Sequence, residues 1–158
     1  MVSLNIGCGP VRFEGEIGVD LYRTSACDVQ ANIRCLPFAN EGIEFIRIDH
    51  ILEHQLLREA VPTIMEMYRV LKTDGIIKVG VPDIEATCKQ YLETSSLEDK
   101  FYVLSVIYGG QSHDGELHHS GWSYDTLENL LKSVGFKDIV ITPEERDKGL
   151  CISANARK

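Results

Sequence analysis

The chain has 158 residues, with 16 Lys plus Arg against 24 Asp plus Glu and a formal net charge of −8. Apolar residues make up 44% and charged residues 25%, values that suit one soluble domain, residues 1–158, with one sizeable core. The negative balance disfavours non-specific binding to nucleic acid or to anionic membrane, both of which rely on Lys/Arg-rich surface.

No apolar run reaches the roughly 20 residues of a membrane span, and the N-terminus carries no basic segment followed by an apolar one. Five cysteines, Cys8, Cys27, Cys35, Cys88 and Cys151, are scattered without a C-x-x-C pair. They read as reduced thiols, which places the chain in the cytoplasm.

In chain order, apolar runs alternate with helical patterns, which predicts an α/β fold with a mostly parallel sheet. Strands are predicted at Ser3–Ile6, Ile17–Tyr22, Asp28–Asn32 and Phe45–Asp49. A helix follows from Ala60 to Leu71, placed so that Pro62 falls in the first turn. Ile64, Tyr68 and Leu71 form its apolar stripe. Thr73-Asp74-Gly75 is expected to stop it, and Ile76–Val81 reads as a central strand. Ile84–Tyr108 reads as helix in one or two pieces, broken near Thr94-Ser95-Ser96, and 109–121 as loop. Ser123 caps a helix through Val134 that Gly135 ends. Phe136–Thr142 and Leu150–Ala154 predict an antiparallel hairpin at the sheet edge.

The segment Leu4-Asn5-Ile6-Gly7-Cys8-Gly9-Pro10 is a strand running into a glycine turn. Asp20 ends the next strand, where a carboxylate can accept from both hydroxyls of a ribose. Ten residues, Gly7 to Glu16, separate the two strands. Extended they span about 33 Å, while a return along a five-residue strand needs only about 17 Å. The crossover therefore closes with a loop or one turn, and the helix after the first strand is shortened or missing. A dinucleotide's pyrophosphate needs a helix N-terminus, which argues against a nicotinamide cofactor. S-adenosylmethionine (SAM) has no phosphate and a positive sulfonium, and needs only the turn and the carboxylate. Asp20 also has an ordinary reading as a strand-end turn acid, and Asn32 as a turn former.

These segments, with Ile17–Leu21, residues 32–44, Ile48–His54, 69–83 and the later run from Tyr108 through Phe136, resemble the class I SAM-dependent methyltransferases, in particular small methyltransferase-11-like members. The resemblance implies a Rossmann-like sheet and SAM as cofactor. It implies that Gly7, Cys8 and Gly9 pass under the methionine portion, Asp20 binds the ribose and Leu21 packs on the adenine. Asn32 and the Ile33 amide would contact the adenine edge, Asp49 and His50 would line the sulfonium end, and Glu44 replaces a family Asp. The third family glycine is absent.

Residues 109–121 crowd His113, Asp114, Glu116, His118 and His119 ahead of Trp122 and Tyr124. Adjacent histidines without a supporting Cys pair do not make a metal pattern, and no metal is expected. Histidine's ordinary pKa suits proton removal from a nucleophile. His118, aligned by the resemblance, is the candidate catalytic group. His54 and Glu53 read as helix-start residues. Residues 84–121 are expected to form a lid over the acceptor site. The expected reaction is methyl transfer from SAM to an O, N or C nucleophile of a small molecule, such as a sugar. The alternative is a non-catalytic methyltransferase-like binding or assembly module. The missing helix is expected to bare an apolar sheet face, which a homodimer would cover.

Overall fold

A computed structural model describes residues 2–112 and 114–158, apart from the side chain of Arg146. Seven strands form one sheet: β1 (Ser3–Ile6), β2 (Glu16–Asp20), β3 (Val29–Gln30), β4 (Ile43–Asp49), β5 (Leu71–Pro82), β6 (Lys137–Glu144) and β7 (Cys151–Arg157). Their order is β3-β2-β1-β4-β5-β7-β6. The first five run parallel, while β7 lies antiparallel between β5 and β6. The predicted hairpin is present, with β6 at the edge and β7 built into the sheet. Among the described residues no helix is long and apolar enough to cross a membrane.

Among the described residues four longer helices complete the fold, α1 (Leu57–Val70), α2 (Ile84–Glu93), α3 (Leu97–Tyr108) and α4 (Tyr124–Val134), with short helical turns at Leu52–His54, Asp114–Glu116 and Arg146–Gly149. Ser123 and Thr126 form a reciprocal capping box on α4, and Gly135 closes it in the left-handed region at φ 113°. Ser96 caps α3 after the break at 94–96. Helix α1 begins at Leu57 rather than Ala60, so Pro62 lies in its second turn. The amide that Pro62 lacks would point to the carbonyl of exposed Arg58, where water can replace the bond. The helix ends at Val70. Thr73-Asp74-Gly75 lies inside β5 as an irregularity between the Ile43–Leu71 and Phe45–Ile76 pairs, with Asp74 at φ 62°.

Register sorts the residues onto two faces. Ile17, Leu4, Ile46, Ile77 and Ala156 lie in one row across the sheet. Together with Ile6, Ile48 and Val79 they pack against Ile64 and Met67 of α1 and Leu127 and Leu131 of α4 in the main core. The next row, Gly18, Asn5, Arg47, Lys78 and Asn155, points the other way. The described connections β1–β2, β2–β3 and β3–β4 contain no helix. This second face is therefore not covered by helices from these crossovers, and the row through Arg47 is mostly polar. Arg47 makes a two-pronged bond to Glu16, with Nε to Oε2 at 3.0 Å and Nη2 to Oε1 at 2.9 Å. Its guanidinium stacks 4.3 Å over the Phe13 ring, and Lys78 pairs with Glu144 at 3.0 Å. Asn5 Nδ2 donates to Val11 O at 3.2 Å, tying the short β1–β2 loop across the face. The expected apolar face is mixed instead: Val140, paired with Asn155, and Ile76, paired with Phe45, stand exposed on it among these polar groups.

Candidate functional site

The turn after β1 is shaped by two left-handed glycines, Gly7 at φ 66° and Gly9 at φ 50°. A Cβ on Gly7 would stand 2.0 Å from Ile51 Cδ1, whereas Gly9 faces open space. Only glycine serves at Gly7, where the backbone is pressed against the chain leaving β4. Asp20 closes the turn: its Oδ2 accepts from Gly9 N at 2.8 Å and its Oδ1 from Tyr22 N at 2.9 Å. Each oxygen keeps a lone pair for a ligand hydroxyl. Thr24 Oγ1 donates to Gly9 O.

This turn forms one end of a cleft of about 480 Å³. Gly7, Gly9, Asp20, Leu21 and Ile33 line it, as do Tyr22, Thr24, Ile51, His54, Gln55 and Leu117. The cleft lies beyond the C-terminal ends of β1 and β2, where open α/β sheets receive ligands. No helix follows β1 to set its N-terminus under the turn.

Cys8, Asn32, Glu44, Asp49, His50 and His118 stand outside the lining. Cys8 is 3% exposed and packs under Gly18, so its side chain fills core. Burial pushes its thiol above the ordinary range. Asn32 is exposed, and its Oδ1 accepts from Arg34 N at 3.0 Å, a turn role. Asp49 alternates onto the polar face beside Arg47, 3.6 Å from Nη1. His50, at φ 54°, turns its ring toward Glu53, with Nδ1 3.0 Å from Oε1. Glu44 pairs with Lys72 at 2.7 Å, remote from the cleft. His113 lies outside the described residues.

Strand alternation hides part of this arrangement from the sequence. Residues after β4 reach the cleft through Ile51 and His54 rather than through Asp49 and His50. Thr24 and Leu117 carry no recognisable signal, because their approach depends on how two loops fold back. His118 meets His54 edge-on, with ring centroids 4.8 Å apart. Burial pushes the His118 imidazole below its ordinary range, so it stands neutral near pH 7. A neutral imidazole offers one lone pair, to a proton or to a metal.

No known family profile matches the chain, and no curated protein matches it. Solved structures do. A SAM-dependent methyltransferase of Archaeoglobus fulgidus superposes with a TM-score of 0.69 at 16% identity, covering 99% of this chain and 85% of that one. A SAM-dependent methyltransferase of Thermotoga maritima gives 0.70 at 17% identity, with 99% and 82% covered. The Burkholderia thailandensis 1,6-didemethyltoxoflavin-N1-methyltransferase, solved with its substrate and S-adenosylhomocysteine, gives 0.68 at 18% identity, with 99% and 70% covered. Strand order, the antiparallel β7 and the full-length superposition together show that the chain has the class I SAM-dependent methyltransferase fold.

Proposed function

We propose that the chain is a SAM-dependent methyltransferase acting on a small molecule in the cytoplasm. The observation that carries the reading is the cleft itself, whose glycine turn is closed by the Asp20 carboxylate and is followed by no helix to hold a pyrophosphate. Gly7 and Gly9 would pass the methionine portion and Asp20 would take the ribose hydroxyls. Leu21 and Ile33 would flank the adenine. When bound, the cofactor supplies a methyl group already activated by its sulfonium. The chain's own work is to align the acceptor and exclude water. Residues 84–121 support a lid role: α2 and α3 close a small cluster of Val103, Val106 and Leu150, and Leu117 reaches the cleft. His118 would hold or deprotonate an acceptor hydroxyl or amine. Five unpaired cysteines support the reducing compartment. The acceptor class suggested is a sugar or similar metabolite, in keeping with the acidic chain.

Calorimetric titration with SAM, S-adenosylhomocysteine and NAD tests the reading. SAM and its product are expected to bind and NAD is not. Asp20→Ala removes two charge-assisted bonds to the ribose and should weaken SAM binding by at least about 100-fold, at roughly 1.5–3 kcal/mol per bond. Unchanged affinity in the variant would reject the assignment, and no binding by the wild type would favour an assembly module.

A further inference from the structure

We propose that Glu53, His54 and His118 bind a divalent first-row transition-metal ion, with zinc the expected occupant. One ligand atom from each lies within 4.8 Å of the others. His54 Nδ1 sits 3.0 Å from Leu117 O, and His118 Nδ1 sits 3.0 Å from Val106 O. A carbonyl only accepts, so both Nδ1 atoms carry the proton and both Nε2 atoms keep their lone pairs. Backbone carbonyls fix metal-binding imidazoles in this same way. The two rings stand nearly perpendicular, at 76°, as rings turned toward one point can.

Glu53 supplies the independent sign. Its side chain is 1% exposed, and neither carboxylate oxygen makes a hydrogen bond among the described residues. His50 Nδ1 comes within 3.0 Å of Oε1 but without hydrogen-bond alignment. A buried carboxylate left in that condition is costly unless a cation meets it. Beside it lies a void of about 10 Å³ lined by Glu53 and His118, close to the size of one water. His54 forms part of the cofactor cleft on the other side. The three groups thus divide a water-sized void from the cleft. Two imidazoles and a carboxylate suit zinc, whose bonds to nitrogen are about 2.0–2.1 Å, so the groups must draw in on the ion.

Three protein ligands leave a position open. With its lone pair on the ion His118 would no longer serve as the base; the ion itself would acidify an acceptor hydroxyl at that position, which would release its proton to solvent. That consequence rests on the methyltransferase reading, whereas metal binding does not. The sequence alone pointed away from a metal, because His118 adjoins His119 and its partners lie far upstream.

The test uses untagged full-length protein stripped with chelator and titrated with Co(II), followed by visible absorption and by elemental analysis after zinc loading. The expected result is one ion per chain. The pair His54→Ala/His118→Ala should lose affinity by at least about 100-fold, beyond the roughly 10–100-fold that loss of an outer partner costs. Glu53→Gln should lose at least about 10-fold. His119→Ala, exposed and outside the cluster, should bind as the wild type does. Absence of uptake by the wild type overturns the proposal, leaving a Glu53–His50 ion pair only. Uptake that survives in both variants also overturns it. SAM titration of the stripped protein separates the two readings. SAM binding without metal uptake sinks this inference alone, and metal uptake without SAM binding sinks the proposed function alone.

Discussion

Ile46 and Arg47 are neighbours in β4 and face opposite ways. Ile46 is fully buried beneath α1 and α4. Arg47 lies on the face without crossover helices, paired with Glu16 and stacked on Phe13. The contrast holds across the sheet, with Leu4 against Asn5 and Ile77 against Lys78. It shows how a fold tolerates the loss of crossover helices. More Val or Ile on the second face, beside exposed Val140 and Ile76, would enlarge an apolar patch that invites association. This chain places polar groups there and lets a short loop cross them.

The largest effect should come from the covered face. Ile46→Ala is expected to cost about 2–5 kcal/mol, the range for a buried large-to-small change, read by denaturant unfolding. Arg47→Ala leaves the Glu16 carboxylate, 10% exposed, without its partner. Partial exposure of Arg47 softens the loss to about 1–2 kcal/mol. If the two variants cost the same, the faces do not differ as described. Glu16→Leu/Arg47→Leu should change stability by less than about 1 kcal/mol, since well-packed apolar residues can replace such a pair. It should also raise association above the wild type's in light scattering, whereas a double variant that associates no more than the wild type would show that these polar groups do not limit association.

The smallest effect concerns pH at His118. Its folded-state pKa lies below the unfolded one because of burial. The unfolded chain therefore binds the proton more readily, and the stability this residue contributes is complete above about pH 6.5. It fades as pH falls toward the folded value. Thermal unfolding at pH 7.5 and 5.5 should show the wild type losing on the order of 2 °C more than His118→Gln. Equal slopes would remove the burial argument.

Much of the first half of the site was legible because its signals are local. Gly7 and Gly9 need positive φ, and Asp20 sits where a strand must end. Chain-length arithmetic showed that the ten residues from Gly7 to Glu16 can close the crossover without a helix. The caps at Ser123 and Gly135 and the polar turn between β6 and β7 are equally short-range. Asp49 and His50 were misplaced for a non-local reason. Which alternate residue of β4 faces the cleft is set by pairing with β1 and β5, and a shift of one position exchanges the faces. Pro62 misled the start of α1 because a proline is tolerated where its unpaired carbonyl faces water.

The sequence by itself determined the fold class, the order of strands and helices along the chain, the absence of a helix after β1 and the glycine turn that follows it. Each follows from spacing and backbone chemistry that neighbours along the chain decide. Tertiary structure decided which face of the sheet is polar, which loops close the cleft and that His118 meets Glu53 and His54. Those outcomes depend on strand register and on loops returning from far along the chain, where no local propensity acts.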